Sequence, residues 1–169
     1  MKIHKVTNPL AVGELAPLVQ KFYNRVKETT GLYQGITYES LYTYLARVVQ
    51  FGGDKAEFWV ALDGDMPVGF ATWRVMDLPY IGSVFCDCLY NDTRNQKAIK
   101  ELYDQFIEFG KKHRCLLYRF DAVNEKLGEY FVNVLSKLGV EAKDSGSEQP
   151  MDVARRNIPF SSGGSWWVC

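Results

Sequence analysis

The sequence has no excess of charge of either sign. It carries 20 lysine and arginine side chains against 20 aspartate and glutamate side chains. A neutral chain has no overall field that would attract nucleic acid or an anionic membrane, so either partner would need a local basic patch. The longest basic run is Lys111-Lys112-His113-Arg114. We therefore expect neither nucleic acid nor a membrane among the partners.

Long apolar runs are also missing. No run approaches the length that a bilayer-spanning helix needs, and the opening residues MKIHKV lack the apolar core of a signal peptide. We therefore expect a cytoplasmic protein. Cysteine is scarce, with Cys86, Cys88, Cys115 and Cys169 as its occurrences. A reducing compartment would keep these residues as thiols.

What remains is the composition of a packed globular domain. Hydrophobic residues make up 47% of the chain and charged residues 24%, a balance that disordered and fibrous chains do not have. A chain of this length can bury about two thirds of the surface that its unfolded form exposes. Because no repeat or low-complexity stretch interrupts it, we predict that residues 1–169 form a single domain.

Helices and strands follow from the periodicity of the apolar residues. Spacings of three and four residues predict amphipathic helices at 15–26, 41–49, 94–110 and 127–138. Glycine at position 110 would close the third of these helices.

Period-two segments and turn residues predict strands, with a hairpin at Asp63-Gly64-Asp65. The strands are expected at 3–6, 58–62, 68–75, 81–89, 116–121, 140–143 and 166–168. This order of elements predicts an α/β fold in which helices cover a mixed sheet.

The order of elements resembles that of the GNAT superfamily of acyl-CoA-dependent N-acyltransferases. Three segments of the sequence are also similar to segments of that family. Residues 60–70 are similar to that family's hairpin between its second and third strands, ending in Val68-Gly69-Phe70. Residues 89–102 are similar to its strand, phosphate loop and helix start. Residues 124–140 are similar to its last helix. The resemblance implies a GNAT-like mixed, mostly antiparallel sheet with a central parallel strand pair, flanked by about four helices.

The resemblance also implies that acetyl-CoA is held between the two central parallel strands. Main-chain groups at the end of the first strand would bind the pantetheine arm, and the start of the following helix would bind the pyrophosphate. The cofactor-binding residues that it implies are Cys88, Leu89, Tyr90, Arg94, Lys97, Ala98 and Asn124.

The phosphate loop departs from the family pattern. Lys97 and Ile99 stand where the family has glycine, and their side chains crowd the place of the phosphates. Thr93-Arg94-Asn95-Gln96 has the form of a capping box, which satisfies the helix's own first donors. The helix start is then either purely structural, or Arg94, Lys97 and Lys100 form a cationic cluster for a phosphate. We expect weak binding of acetyl-CoA, with a dissociation constant on the order of a millimolar.

Transfer to an amine needs a base, and the resemblance adds a tyrosine that protonates the leaving thiolate. Asp87 is the candidate base, and the alternative is a carboxylate on the solvent-facing side of an alternating strand. Leu135 stands at the position of the family's tyrosine and cannot give a proton. Tyr130 is the candidate replacement, with a half-buried core aromatic as the alternative.

The spacing of the cysteines does not match that of a metal-binding motif. Cys86 and Cys88 are two residues apart on one predicted strand, so we expect them on the same strand face. Together with His113 and Cys115 they fit no usual zinc spacing. We predict no metal site, and no disulfide between Cys86 and Cys88.

Two hypotheses of different classes follow. The first is an acetyl-CoA-dependent N-acyltransferase acting on an amine of a small molecule or a protein. The second is a GNAT-fold binding or assembly protein without catalysis, similar to some phage virion and core proteins and favoured by the loss of the glycines and the tyrosine. The stretch 144–169, with Arg155-Arg156 and Trp166-Trp167, is then an aromatic docking surface or a strand pair that completes the sheet.

Overall fold

The computed structural model describes residues 1–30, 36–78, 81–92, 96–121, 133, 142–144 and 165–168. The elements in chain order are β1 (Lys2–Lys5), α1 (Ala11–Glu14), α2 (Ala16–Thr30), α3 (Tyr38–Phe51), β2 (Ala56–Asp63), β3 (Met66–Leu78), β4 (Ile81–Asn91), α4 (Gln96–Lys112), β5 (Leu117–Asp121), β6 (Ala142–Asp144) and β7 (Ser165–Val168). The predicted helix at 127–138 lies outside the described residues.

These strands form one sheet in the order β1-β2-β3-β4-β5-β7-β6. The strands β4 and β5 are parallel and are connected through α4, whereas the other neighbouring pairs are antiparallel. The predicted mixed sheet with a central parallel pair is therefore confirmed. Trp166 and Trp167 lie in β7, which completes the sheet as the strand-pair interpretation predicted. None of the described helices is long and apolar enough to cross a membrane.

Each face of the sheet has its own hydrophobic core. On one face, which we call the α4 core, buried side chains of α4 pack against the strands, including Trp73, Val84, Cys86, Leu102 and Phe106. On the other face, the α3 core, helices α1 to α3 pack against the strands, including Phe22, Leu45, Phe58, Phe70 and Cys88. A strand residue can therefore be assigned to a face by the core that it joins.

Local sequence fixes the ends of α3 and the hairpin. Thr37 caps the first turn of α3, because its hydroxyl accepts from the Ser40 amide while the Ser40 hydroxyl accepts from the Thr37 amide. Gly53 follows the helix with φ +58°, and Gly64 turns the β2–β3 hairpin with φ +62°, a conformation that glycine adopts without strain. The predicted hairpin is confirmed.

Gly110 does not close α4, which continues to Lys112. Its role is steric. A Cβ atom at position 110 would lie 2.2 Å from Cε1 of Tyr118, whose ring is buried against this turn of the helix. The residue that follows the helix in the left-handed conformation is Arg114, with φ 54°. The sequence-based assignment of the helix end was wrong because a packing requirement for glycine resembles a capping requirement.

Candidate functional site

The strand β4 extends beyond its described pairing with β5. Their parallel pairing runs from Ser83 opposite Leu117 to Cys86 opposite Phe120. The strand β4 then continues to Asn91, still paired with β3. The edge of β4 from residue 87 to 91 thus extends beyond the described pairing with β5. A strand edge of this kind can hydrogen-bond an extended ligand.

The described pairing between β4 and β5 ends at a β-bulge in β4. Thr72 of β3 lies opposite Cys88, while the next residue, Trp73, lies opposite Cys86. Asp87 is therefore the extra residue in β4. A bulge bends its strand, increases the local twist and re-aims the side chains around it. The candidate base is thus the residue of β4 that directly follows the last described pair with β5.

The bulge also corrects the expectation for the two cysteines. Cys86 joins the α4 core and Cys88 joins the α3 core, so they lie on opposite faces of the sheet. The prediction of a shared face was wrong because the extra residue reverses the alternation between them. Burial raises the pKa of the Cys88 thiol to about 12, which makes it a poor nucleophile. The described residues contain no group of three or more potential metal ligands.

Asp87 does not face solvent. Its side chain is only 10% exposed, and its Oδ1 accepts a hydrogen bond of 3.0 Å from the Arg74 Nε. The interpretation of Asp87 as a solvent-facing carboxylate is therefore wrong. The hydrogen bond from the guanidinium fixes the orientation of the carboxylate.

Tyr44 of α3 lies over the same carboxylate. Its hydroxyl is buried without a well-aligned hydrogen bond. Burial raises the pKa of Tyr44 well above its ordinary value, and the negative charge of Asp87 raises it further. The side chain therefore remains a neutral phenol at physiological pH, with its polar end toward the carboxylate. Sequence periodicity identified Tyr44 only as part of the apolar stripe of the helix.

Two arginines flank an aromatic ring at the same place. Across the sheet, Arg74 lies opposite Phe85, and Phe85 lies opposite Arg119. The guanidinium carbons lie 5.9 Å (Arg74) and 5.5 Å (Arg119) from the centroid of the Phe85 ring, within the range of a cation–π contact. Arg119 is buried, with 6% of its surface exposed. Neither arginine was predicted as a site residue, although each is a charged residue within an otherwise apolar strand.

The predicted cofactor residues of β4 follow the bulge directly. Cys88 and the Tyr90 ring are buried in the α3 core, and Leu89 packs against the α4 core. The Tyr90 hydroxyl donates to Asp92 at 3.1 Å, and Asp92 is paired with Lys21 at 2.6 Å. Because these side chains are occupied in packing, a contribution to cofactor binding would come from their main-chain groups.

The predicted phosphate residues of α4 are only partly described. Lys97 is exposed and lies 3.8 Å from Glu101, and Lys100 lies 2.5 Å from Asp104. Ala98 is fully buried against the sheet. The lysines thus pair with acidic residues one turn further along, and do not form a cluster of cations alone. Four predicted features, namely Arg94, the capping box at Thr93, Asn124 and Tyr130, lie outside the described residues.

Comparisons with known proteins identify the fold. No protein-family model matches the chain, and no curated protein does. Among solved structures, a probable acetyltransferase from Staphylococcus epidermidis matches with a TM-score of 0.67 at 15% identity, over 99% of this chain and 96% of that one. A ribosomal-protein-alanine N-acetyltransferase from Brucella melitensis matches with a TM-score of 0.66 at 12% identity, over 99% and 98%.

A third structure is that of a predicted acetyltransferase from Clostridium acetobutylicum with acetyl-CoA. It matches with a TM-score of 0.61 at 13% identity, over 89% of this chain and 96% of that one. At such identities the likeness is one of fold. The chain has the GNAT acetyltransferase fold, as the sequence resemblance implied.

Proposed function

We propose that the chain is an acyl-CoA-dependent N-acyltransferase whose catalytic base is Asp87. The observation that carries the proposal is the position of this carboxylate, at the bulge where β4 leaves β5. A base is useful only within reach of the atom that loses its proton. In this fold the gap between the two strands is where the reacting end of an acyl-CoA is expected, so the carboxylate would lie beside it.

The edge of β4 beyond the bulge suits the extended arm of coenzyme A. Alternate peptide groups of residues 87–91 point away from β3 in an antiparallel pair, and the amides of a pantetheine arm could pair with them as an added strand does. We assign this role to the main chain of Cys88, Leu89 and Tyr90. Arg94, Lys97, Ala98 and Asn124 are our candidates for the rest of the cofactor.

An acyl-CoA supplies the acyl group as a thioester. The amine nitrogen forms a bond to the acyl carbon and the bond from that carbon to sulfur breaks, giving an amide and coenzyme A thiol. Asp87 accepts the proton that the nitrogen loses, directly or through a water molecule. Arg74 donates a hydrogen bond to the carboxylate and so fixes its orientation.

The proton that the leaving sulfur takes up needs a separate source. Tyr44 is a poor candidate, because a phenol whose pKa is raised this far is a weaker acid than a thiol. Its proposed role is to close the site above Asp87. Tyr130 remains our candidate for the acid.

The second candidate function is a GNAT-fold binding or assembly protein without catalysis, for example a virion component. What favours it is the first turns of α4. Lys97 and Lys100 have acidic partners in Glu101 and Asp104, and Ile99 stands where a glycine would admit a phosphate. Under this proposal the chain would have a protein partner and no amine substrate.

An acyl-transfer assay separates the two candidates. The release of coenzyme A thiol from acetyl-CoA is measured with a panel of amines, for the unaltered protein and for Asp87→Asn. We expect amine-dependent release that falls about 100- to 10,000-fold in the variant, the usual contribution of a general base. Asp92→Asn is the matched control, since it removes a charge from an aspartate that also pairs with a cation and a tyrosine. Equal loss in both variants would show that Asp87 is not the base, and no release with any amine would favour the second candidate.

A further inference from the structure

The Asp87 carboxylate is held on one side by a group that solvent reaches. Arg74 donates from Nε to Oδ1 at 3.0 Å, but its side chain is 51% exposed. An ion pair of this exposure is weakened by solvent, and the terminal torsion of an aspartate is soft. The other oxygen, Oδ2, is buried. A second and buried donor would therefore hold the plane of the carboxylate more firmly than Arg74 does alone.

Tyr44 provides a buried hydroxyl at this place. The residue packs against the α3 core, and its hydroxyl is shielded from solvent without a well-aligned hydrogen bond. The ionisable groups that face this hydroxyl are Asp87 and Cys88 of β4 and Arg74 of β3. A tyrosine side chain has only two torsions, so it loses little conformational freedom when its ring is packed in place. Tyr44 is thus the more rigid of the two neighbours of the carboxylate.

Of the three groups that face the Tyr44 hydroxyl, the carboxylate is the one that can take its proton in a strong hydrogen bond. The guanidinium of Arg74 has donors only, and a neutral thiol such as that of Cys88 is a weak acceptor. A hydroxyl that donates to a carboxylate makes a short, charge-assisted bond. Because a buried hydroxyl without a partner is costly, pairing of Tyr44 with Asp87 is favoured.

We propose that Tyr44 is a positioning residue, whose hydroxyl donates a hydrogen bond to the Asp87 carboxylate and, together with Arg74, holds it in the plane from which it takes the proton of the amine. Hydrogen bonds of this kind are often poorly aligned in a free enzyme and tighten when the substrates bind. The catalytic role of the carboxylate rests on the proposed function. The contact between Tyr44 and Asp87 does not, and it can be measured without turnover.

Carbon-13 NMR of the aspartate carboxyl groups tests the contact directly, with the Asp87 signal assigned as the one that Asp87→Asn lacks. Tyr44→Phe keeps the ring and removes the hydroxyl, so the ionised carboxylate loses a donor and becomes less favourable. We expect the midpoint of the Asp87 titration to rise by about one pH unit. Tyr103→Phe is the matched control, since it removes a buried hydroxyl on the opposite face of the sheet. An unchanged midpoint in Tyr44→Phe, or an equal rise in Tyr103→Phe, would overturn the contact.

The hydroxyl proton of Tyr44 gives a second measurement, which does not need Tyr44→Phe to fold. A proton in a short hydrogen bond to a carboxylate resonates downfield and exchanges slowly, and its cross-peaks to the Tyr44 ring identify it. In Asp87→Asn the acceptor is a neutral amide, so the signal should move upfield. The absence of such a signal from the unaltered protein, or a signal that Asp87→Asn leaves in place, would overturn the contact.

Kinetics test the positioning role. Tyr44→Phe should lower kcat about tenfold and leave the KM for acetyl-CoA unchanged, because a misoriented base slows proton removal without weakening the binding of the donor. The acid limb of the pH profile of kcat/KM should move up by about one pH unit.

A double-mutant cycle separates this role from a structural one. In an Asp87→Asn background, Tyr44→Phe should change kcat little, because the carboxylate that it positions is gone. An equal loss with and without the Asp87 carboxylate would overturn the positioning role. If no amine is acylated while the NMR midpoint of Asp87 still moves in Tyr44→Phe, the proposed function fails and the positioning role with it, whereas the contact between the two residues stands.

Discussion

The Asp87 carboxylate accepts a hydrogen bond of 3.0 Å from the Nε atom of Arg74, across two strands whose register shifts at this residue. The bulge and the ion pair together determine where the Asp87 carboxylate lies. The bulge places the aspartate beside Tyr44 of α3, and the arginine fixes the orientation of its carboxylate there. A carboxylate is therefore held inside the protein directly after the last described pair of the central strands.

The buried phenol of Tyr44 predicts a loss of stability in alkali. Its pKa in the folded protein is raised above the 10.0 of an unfolded tyrosine. Below pH 10 both states keep the proton and stability does not depend on this group. Above pH 10 the unfolded state loses the proton first, so the free energy of unfolding falls as the pH rises.

Urea unfolding between pH 9 and 11 measures this effect. The fall per pH unit should be smaller in Tyr44→Phe than in the unaltered protein, by up to about 1.4 kcal/mol. Tyr103→Phe should behave in the same way, because burial also raises the pKa of Tyr103. Parallel pH profiles for all three proteins would contradict the burial of these hydroxyls.

Replacing Gly110 by alanine is expected to lower the stability of the protein, which is the opposite of the usual effect in a helix. Replacing an interior helix glycine by alanine ordinarily stabilises a protein by about 1 kcal/mol. At Gly110 the new methyl would meet the buried Tyr118 ring, so we expect Gly110→Ala to destabilise the protein by about 1–3 kcal/mol. Gly13→Ala in α1 is the control, because its Cβ would meet only the Tyr42 hydroxyl at 3.4 Å. Denaturation midpoints that rise in both variants would show that Tyr118 does not occupy this space.

How far the fold could be predicted is best seen along β4. Its apolar residues Val84, Cys86, Cys88 and Tyr90 alternate without interruption, which correctly predicts a strand and wrongly predicts a single face. The structure sends the first two to the α4 core and the last two to the α3 core. A strand that is buried on both faces has no polar side to reveal a register shift, so the bulge could not be found from periodicity.

Of the residues at the candidate site, one was named from the sequence and the others were not. Asp87 was the candidate base because its carboxylate lies on the central strand that the family resemblance implies. Arg74 and Tyr44 come from another strand and a helix, and only the sheet register and the packing of α3 bring them to the same carboxylate. Spacing along one segment does not contain such relationships between distant segments.

Cys88 should be inert to alkylation in the folded protein. With a pKa raised by burial to about 12, only about one thiol in ten thousand is a thiolate at pH 8. Treatment with iodoacetamide followed by peptide mass spectrometry should leave Cys88 unmodified, and the same treatment in urea should modify it. Rapid alkylation of Cys88 under native conditions would show that it is accessible.

Removing the side chains of Lys97 and Ile99 at the start of α4 is expected to raise the affinity for acetyl-CoA. Lys97→Gly with Ile99→Gly opens the positions that are glycines in related phosphate loops, so acetyl-CoA should bind more tightly than to the unaltered protein. The two glycines cost roughly 1 kcal/mol each in helix stability, and the loss of the buried Ile99 side chain costs about 2–5 kcal/mol more. Glu108→Gly with Lys112→Gly is the control for helix propensity, since it weakens the same helix near its other end. Calorimetry showing no gain over this control would mean that Lys97 and Ile99 do not limit binding.

The most direct test of the acyltransferase proposal is a titration of isotopically labelled protein with acetyl-CoA, followed by the amide NMR signals of residues 87–91. Binding along the β4 edge predicts that these signals shift and saturate, with a dissociation constant on the order of a millimolar. The signals of Gly53 and Gly64, in turns at the ends of α3 and β2, should stay in place. If the signals of residues 87–91 stay in place up to tens of millimolar acetyl-CoA, or if saturable shifts occur only elsewhere, the site between β4 and β5 does not bind an acyl-CoA and the account is contradicted.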